Sequence, residues 1–314
     1  MKYSVLNLTK ITRKWCINHL FIIPTCALLL PVCTLDAKEV YIKHDGIILN
    51  AELEVSDGKT LSDGVILLTH GGLAHRDMES LRYLRSLLID EGHNLLSINL
   101  SLGINNRHGM YDCNNPHQHR NNDALDEIGL WVNWLSKKGV RDLVLIGHSR
   151  GGAQTALFAA ERDSALIKKV VLLAPATRDN GFNGYENRYK KPLKPMLKKA
   201  QAMIDDGLGD EIIESTNIMF CRKTKATANS FASYYLPDPR LDTPYLIPFI
   251  KKPTLVIVAG DDQVVKNLDK KLSQPGKDNN FQMTVIESAD HLFRDLNMDE
   301  AVEVIDTFLQ KVNG

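Results

Sequence analysis

The stretch Gly147-His148-Ser149-Arg150-Gly151 follows the apolar run Leu143-Val144-Leu145-Ile146 and leads into a segment of helical pattern. A buried strand that ends in Gly-x-Ser-x-Gly and runs into a helix makes a sharp turn, which lifts one serine hydroxyl clear of the backbone. The flanking glycines suit that cramped turn, where side chains would collide with the neighbouring strand and helix. A serine hydroxyl is a weak nucleophile at neutral pH. It needs a base within hydrogen-bond reach, and the base needs a carboxylate to hold its tautomer. His291 lies five residues past Phe281–Ile286, and Asp261 and Asp262 follow directly on residues 254–260. Together these residue types could perform acyl transfer: Ser149 attacks a carbonyl, His291 is the base, and Asp261 or Asp262 orients it. Either aspartate could instead cap a helix starting near Val264.

The elements that must carry these residues alternate along the chain. Residues 39–44 and 48–55 read as a hairpin turned at Asp45-Gly46. Val65–Thr69 is a buried strand, and residues 77–91 form a helix with Leu81, Leu84, Leu87 and Leu88 on one face. Strand 95–100, helix 124–137, the strand before Ser149, helix 151–162 and strand 169–173 continue the rhythm. Right-handed crossovers and a mostly parallel sheet follow, covered on both faces. The rhythm lapses over about 177–250, where Lys194–Asp205 is helical in pattern and residues 211–219 less firmly so. It resumes with Thr254–Ala259, Phe281–Ile286 and a closing helix over 299–312. An insertion after the strand behind Ser149's helix would cover the carboxyl ends of the strands, where such sheets bind ligands, so it reads as a lid.

The motif and the chain order Ser149, Asp262, His291 resemble the α/β-hydrolase family over residues 39–314. The resemblance implies an α/β fold with an eight-stranded, mostly parallel sheet, helices on both faces and a helical lid. It also implies a serine nucleophile, no cofactor and a small-molecule acyl substrate: an ester, thioester or amide. One departure stands out. Family acids often lie three residues past the glycine of this strand, whereas Asp262 lies two past Gly260. Gln263-Val264-Val265 behind it still resembles the family's usual Asp-x-x-Val continuation, so the resemblance favours Asp262 as the acid with Asp261 as the reserve. The family places one oxyanion donor on the backbone N–H after the nucleophile, here Arg150. The second comes from His70-Gly71-Gly72-Leu73, with the N–H of Gly72 favoured and Leu73 next.

Lysine plus arginine and aspartate plus glutamate number 38 each, so no net field favours nucleic acid. Residues 1–14 carry four basic and no acidic residues, an apolar core follows over 20–32, and Ala37 precedes Lys38. This is the layout of a secretory signal peptide over residues 1–37. Removing its four basic residues and one acidic residue leaves the rest, 38–314, at net −3 with no stable membrane span. The expectation is an exported protein, periplasmic or secreted; the alternatives are an uncleaved anchor or a lipidated Cys33.

Cys113 and Cys221 are the two cysteines beyond the leader, and an oxidising compartment would allow them to pair. His108, Cys113, His117 and His119 crowd the loop after strand 95–100. They could belong to a polar active-site loop, or hold a metal in a metal-assisted hydrolase, although their spacing matches no closed four-ligand set. The aromatic residues Phe182, Tyr185, Tyr189, Phe220, Phe231, Tyr234 and Tyr235 could line an acyl pocket or pack inside the lid. Lys190, Lys191, Lys194, Lys198 and Lys199 could draw an anionic substrate or form a solvated helix face. Another alternative is a non-catalytic ligand-binding or sensor protein on the same fold.

Overall fold

The computed structural model describes residues 37–273 and 281–311, so the leader read over 1–37 lies, apart from Ala37, outside the described residues. Strands β1 (Lys38–His44) and β2 (Ile47–Glu54) pair antiparallel about the expected turn. Then follow β3 (Val65–Thr69), α1 (Glu79–Asp90), β4 (Leu95–Ile98), α2 (Asp123–Lys137), β5 (Leu143–His148), α3 (Ser149–Glu161) and β6 (Ile167–Leu173). The insertion holds α4 (Arg178–Tyr189), α5 (Lys194–Asp205), β7 (Ile212–Ile218), β8 (Cys221–Thr227), α6 (Ala228–Tyr235) and α7 (Thr243–Leu246). The chain closes with β9 (Thr254–Ala259), α8 (Leu268–Leu272), β10 (Phe281–Ile286) and α9 (Leu296–Gln310).

Eight strands form one sheet in the order β1-β2-β4-β3-β5-β6-β9-β10. Only the pairs β1–β2 and β2–β4 are antiparallel. The inner strands are continuously apolar because both faces are covered. Successive side chains point to opposite faces: Leu67, Leu145, Leu172 and Val256 join a core with Trp131 of α2 and Leu157 of α3. Their neighbours Leu68, Ile146, Leu173 and Ile257 join a second core with Leu84 of α1 and Ile305 of α9. Each such aliphatic side chain contributes roughly 2 kcal/mol by leaving water. The chain leaves β3 toward β4 on one side and later returns on the other side with β5. That reversal opens a crevice at the carboxyl ends of β3 and β5, where Gly71 and Ser149 lie.

One expectation is corrected. Residues 211–219 are not helical: they form β7, which pairs with β8 as a separate two-stranded ribbon, so the lid joins a β-hairpin to its helices. Register shifts between Ile213 and Thr216 and between Thr216 and Ile218 interrupt the alternation. The buried residues Ile213, Thr216 and Asn217 therefore fall at helix-like spacing, while the β-branched content favours a strand.

The pairing left open by the sequence is made: Cys113 and Cys221 form a disulfide between the loop after β4 and strand β8. The His117 N–H donates to the Lys225 carbonyl (2.8 Å), and the Thr227 N–H donates back to His117 (2.9 Å), so the clamp is continuous. Closing a chain of this length typically stabilises a fold by about 2–5 kcal/mol. Among the described residues, no helix is long and apolar enough to cross a membrane.

Candidate active site

Ser149 occupies the left-handed region at φ +56°, a conformation that L-residues hold only when packing over-determines it. The packing is visible at two glycines. A Cβ on Gly151 would stand 2.2 Å from the His70 carbonyl oxygen, and one on Gly71 would stand 2.8 Å from Ser149 Cβ. The first turn of α3 thus lies directly on the carboxyl end of β3. The N–H groups of that turn have no intrahelical acceptors and sit at the positive end of the helix dipole.

His291, on the loop after β10, meets Ser149 there: its Nε2 lies 2.8 Å from Ser149 Oγ. Its Nδ1 lies 2.7 Å from Asp262 Oδ2. With Nδ1–H donating to the carboxylate, Nε2 is free to accept the serine proton. Asp262 is 6% exposed. Burial alone would raise its pKa. The hydrogen bond and charge of His291, with the N–H groups of Val265 and Val264, outweigh burial and hold the carboxyl below its ordinary value. Its Oδ1 accepts those N–H groups at 2.8 and 2.6 Å, so they brace the acid. No helix begins near Val264; α8 starts at Leu268. The reserve acid Asp261 is exposed. Its N–H donates to the Ala289 carbonyl, and the His291 ring is bonded to Asp262 instead.

Gly72, at φ +48°, borders the same cleft as Ser149 and Arg150. The Leu73 side chain, 3% exposed, packs in the core, and Gly72 is the one of the pair that lines the cleft. Behind this loop, His70 Nε2 accepts from the Leu100 N–H and from Arg107 Nη2, both at 3.0 Å. Burial holds His70 well below its ordinary pKa, so the ring is neutral. Burial likewise lowers Arg107 to about 10, which leaves it charged at neutral pH.

Sequence reasoning did not assign side-chain roles to His70, Arg107 or His148. The last of these donates from Nε2 to the His291 carbonyl (2.8 Å), and its ring packs 5.1 Å from that of His291. Burial lowers its pKa to about 4, so it stays neutral. A histidine directly before Ser149 was the available signal; what it touches depends on a loop over 140 residues away.

The histidine loop does not converge on a metal. Cys113 is spent in the disulfide, and His108 bonds Glu39 (2.7 Å). His117 Nδ1 lies 3.1 Å from His119 Nε2, and His119 Nδ1 lies 2.7 Å from the Tyr234 hydroxyl. Among the described residues, no three His, Cys, Asp or Glu side chains are grouped to hold a metal ion. The lid aromatics divide. Tyr185, Tyr189, Phe231 and Tyr235 stack on one another inside the lid, whereas Phe220 and Phe182 are exposed beside clefts. The cleft over Ser149 encloses about 870 Å³. An adjoining one of about 470 Å³, with Phe182, Leu197, Leu236 and Pro237 among its walls, shares Arg150 and Tyr235 with it.

A sequence model described as the alpha/beta hydrolase family matches residues 66–307. The chain belongs to that family. As a member, it is 37% identical over 70 residues to the "Putative esterase/lipase 3" of Mycoplasma pneumoniae, a match spanning 22% of this chain and 25% of that relative. This alpha/beta hydrolase also superposes on Est1E from Butyrivibrio proteoclasticus with a TM-score of 0.59 at 19% identity, covering 86% of this chain and 97% of Est1E. A Pyrococcus furiosus esterase gives a TM-score of 0.59 at 18% identity, covering 89% and 92% of the two chains. These structures share its fold.

The geometry separates the two aspartates sharply. Asp262→Asn should lower turnover of an activated ester by on the order of 10⁴ with folding intact, because the ring then loses its orienting acceptor. Asp261→Asn should change turnover by no more than about twofold, since surface substitutions away from such features have small effects. Steady-state kinetics on the two variants, with circular dichroism as the folding control, decides. Equal losses in both would mean that the acid is misassigned.

Proposed function

We propose that this protein hydrolyses a carboxylic ester through an acyl-enzyme on Ser149. The observation that carries the reading is the unbroken chain from Ser149 Oγ through His291 to Asp262 at 2.8 and 2.7 Å, opening onto a cleft. Ser149 Oγ bonds to the ester carbonyl carbon while its proton passes to His291 Nε2. The negative charge moves to the carbonyl oxygen, where the N–H groups of Arg150 and Gly72 would receive it. As the tetrahedral adduct collapses, the C–O bond to the alcohol breaks and His291 returns the proton to the leaving oxygen. Water then repeats the sequence on the acyl-enzyme and releases the acid. The names of the Mycoplasma relative and of the esterase structures support an ester over a thioester or amide.

Turnover of p-nitrophenyl butyrate by the purified protein tests the reading. The expected result is steady hydrolysis that falls by on the order of 10⁴ or more in Ser149→Ala and in His291→Ala, with the double variant scarcely worse, because the residues act as a unit. Undiminished turnover in Ser149→Ala would contradict it.

We also infer that the protein is exported. The basic start, apolar core and Ala37 of the leader support this. So does the Cys113–Cys221 disulfide, a bond that persists in oxidising compartments. Mass analysis of protein from its native host should find an N-terminus near Lys38 in the periplasmic or secreted fraction. An intact Met1 in the cytosol would refute export.

A further inference from the structure

The chain as a whole is electrically balanced, but the walls of the Ser149 cleft are not. Six cations border it: Arg150, Arg188, Lys190, Arg222, Lys266 and Lys271. Among the described residues, Asp179 and Glu186 are the carboxylates on the same walls. Asp179 is taken by Lys271 at 2.6 Å, and Glu186 accepts the Leu193 N–H. The remaining five cations make no ion pair among the described residues.

Three of the five are guanidinium groups held in place by other means. Arg150, directly after the nucleophile and half-buried, lies 5.1 Å from the centre of the buried Tyr234 ring. Its polar contact is a long 3.5 Å approach to Asn121 Oδ1. Arg188 lies 4.3 Å over the Phe220 ring and donates from Nη1 to the Met219 carbonyl at 2.6 Å. Phe220 in turn covers the oxyanion loop: a Cβ on Gly72 would stand 3.0 Å from its ring. Arg222 lies 5.2 Å over Tyr189 and donates to the Arg188 carbonyl at 2.7 Å. Arg188 is therefore one aromatic ring away from the oxyanion loop, and Arg222 fixes the backbone that carries it.

Stacking on a ring orients a guanidinium without using up its in-plane donors, and a planar fork of N–H groups matches a carboxylate two bonds at a time. Arg150 and Arg188 are half-buried, whereas Arg222 is exposed; taking the first two partly out of water costs free energy unless an anion completes them. We propose that the substrate carries a carboxylate in addition to the ester that is cut, and that Arg188, aided by Arg150 and Arg222, receives it. Lys190 and Lys266 raise the local positive potential that draws such a substrate in. The proposal rests on the esterase reading and narrows its substrate class to anionic esters.

The test compares matched pairs that differ in one charge. The first pair is the p-nitrophenyl monoester of adipic acid against p-nitrophenyl hexanoate, with the charge on the acyl side. The second is p-carboxyphenyl butyrate against phenyl butyrate, with the charge on the leaving side. The wild-type protein should favour the anionic member of at least one pair by roughly tenfold or more in kcat/KM, mainly through KM, and added salt should shrink that ratio. Arg188→Gln combined with Arg222→Gln should bring the ratio close to one, while Arg188→Lys, which keeps charge but loses the fork, should fall between. A neutral ester turned over as well as its anionic partner in both pairs would overturn the proposal and leave the esterase reading standing. A preference that survives the double substitution would overturn the assignment to these arginines. Failure to hydrolyse any of the four esters would bring down the esterase reading and this proposal together.

Discussion

The backbone at Ser149 is held at φ +56° by the seating of α3 on the end of β3, and the geometry of the site depends on that contact. Without the close approach of Gly151 to the His70 carbonyl, the serine would relax into an ordinary helical start and its hydroxyl would leave His291. The same contact brings the Gly71-Gly72 backbone beside the serine. One packing event therefore places the Ser149 hydroxyl and the Gly71-Gly72 backbone together. Glycine is required at both positions because backbone, not a flexible side chain, occupies the space a Cβ would need at Gly151, and Ser149 itself occupies it at Gly71.

The sheet then does for His291 and Asp262 what the turn does for Ser149. β9 and β10 run parallel to β5 and β6, so the loops carrying Asp262 and His291 emerge at the end where Ser149 stands. Asp262 is fixed by the N–H groups of Val264 and Val265, and the His291 main chain by His148. A buried carboxylate is tolerated there because hydrogen bonds and the adjacent ring offset the loss of hydration. His148 joins the two halves: it belongs to the turn that carries Ser149 and donates to the His291 carbonyl.

Much of this was legible in the residues because it is local or periodic. The continuous apolar strands, the glycines around Ser149 and the chain order of the three site residues each have a short-range physical cause. The rest was not legible, because it depends on contacts between distant segments. The helix-like spacing of Ile213, Thr216 and Asn217 hid a bulged strand, since a bulge shifts the period of burial without changing residue type. Cys113 and Cys221 lie 108 residues apart, and only the fold brings them together. Arg150, Arg188 and Arg222 line one cleft, an arrangement that no spacing along the chain displays. The histidine loop is settled by distant contacts too: Cys113, His117 and His119 tie it to the lid, and His108 bonds Glu39 of β1.

The central claim is that the Ser149 hydroxyl is an activated nucleophile, and covalent labelling reads that directly. The protein would be treated with a fluorophosphonate, and the adduct counted by intact mass and located by peptide mapping. The account predicts one adduct, on Ser149, that forms far more slowly in His291→Ala and not at all in Ser149→Ala. Labelling at another residue, or at Ser149 with a rate indifferent to the loss of His291, would contradict it.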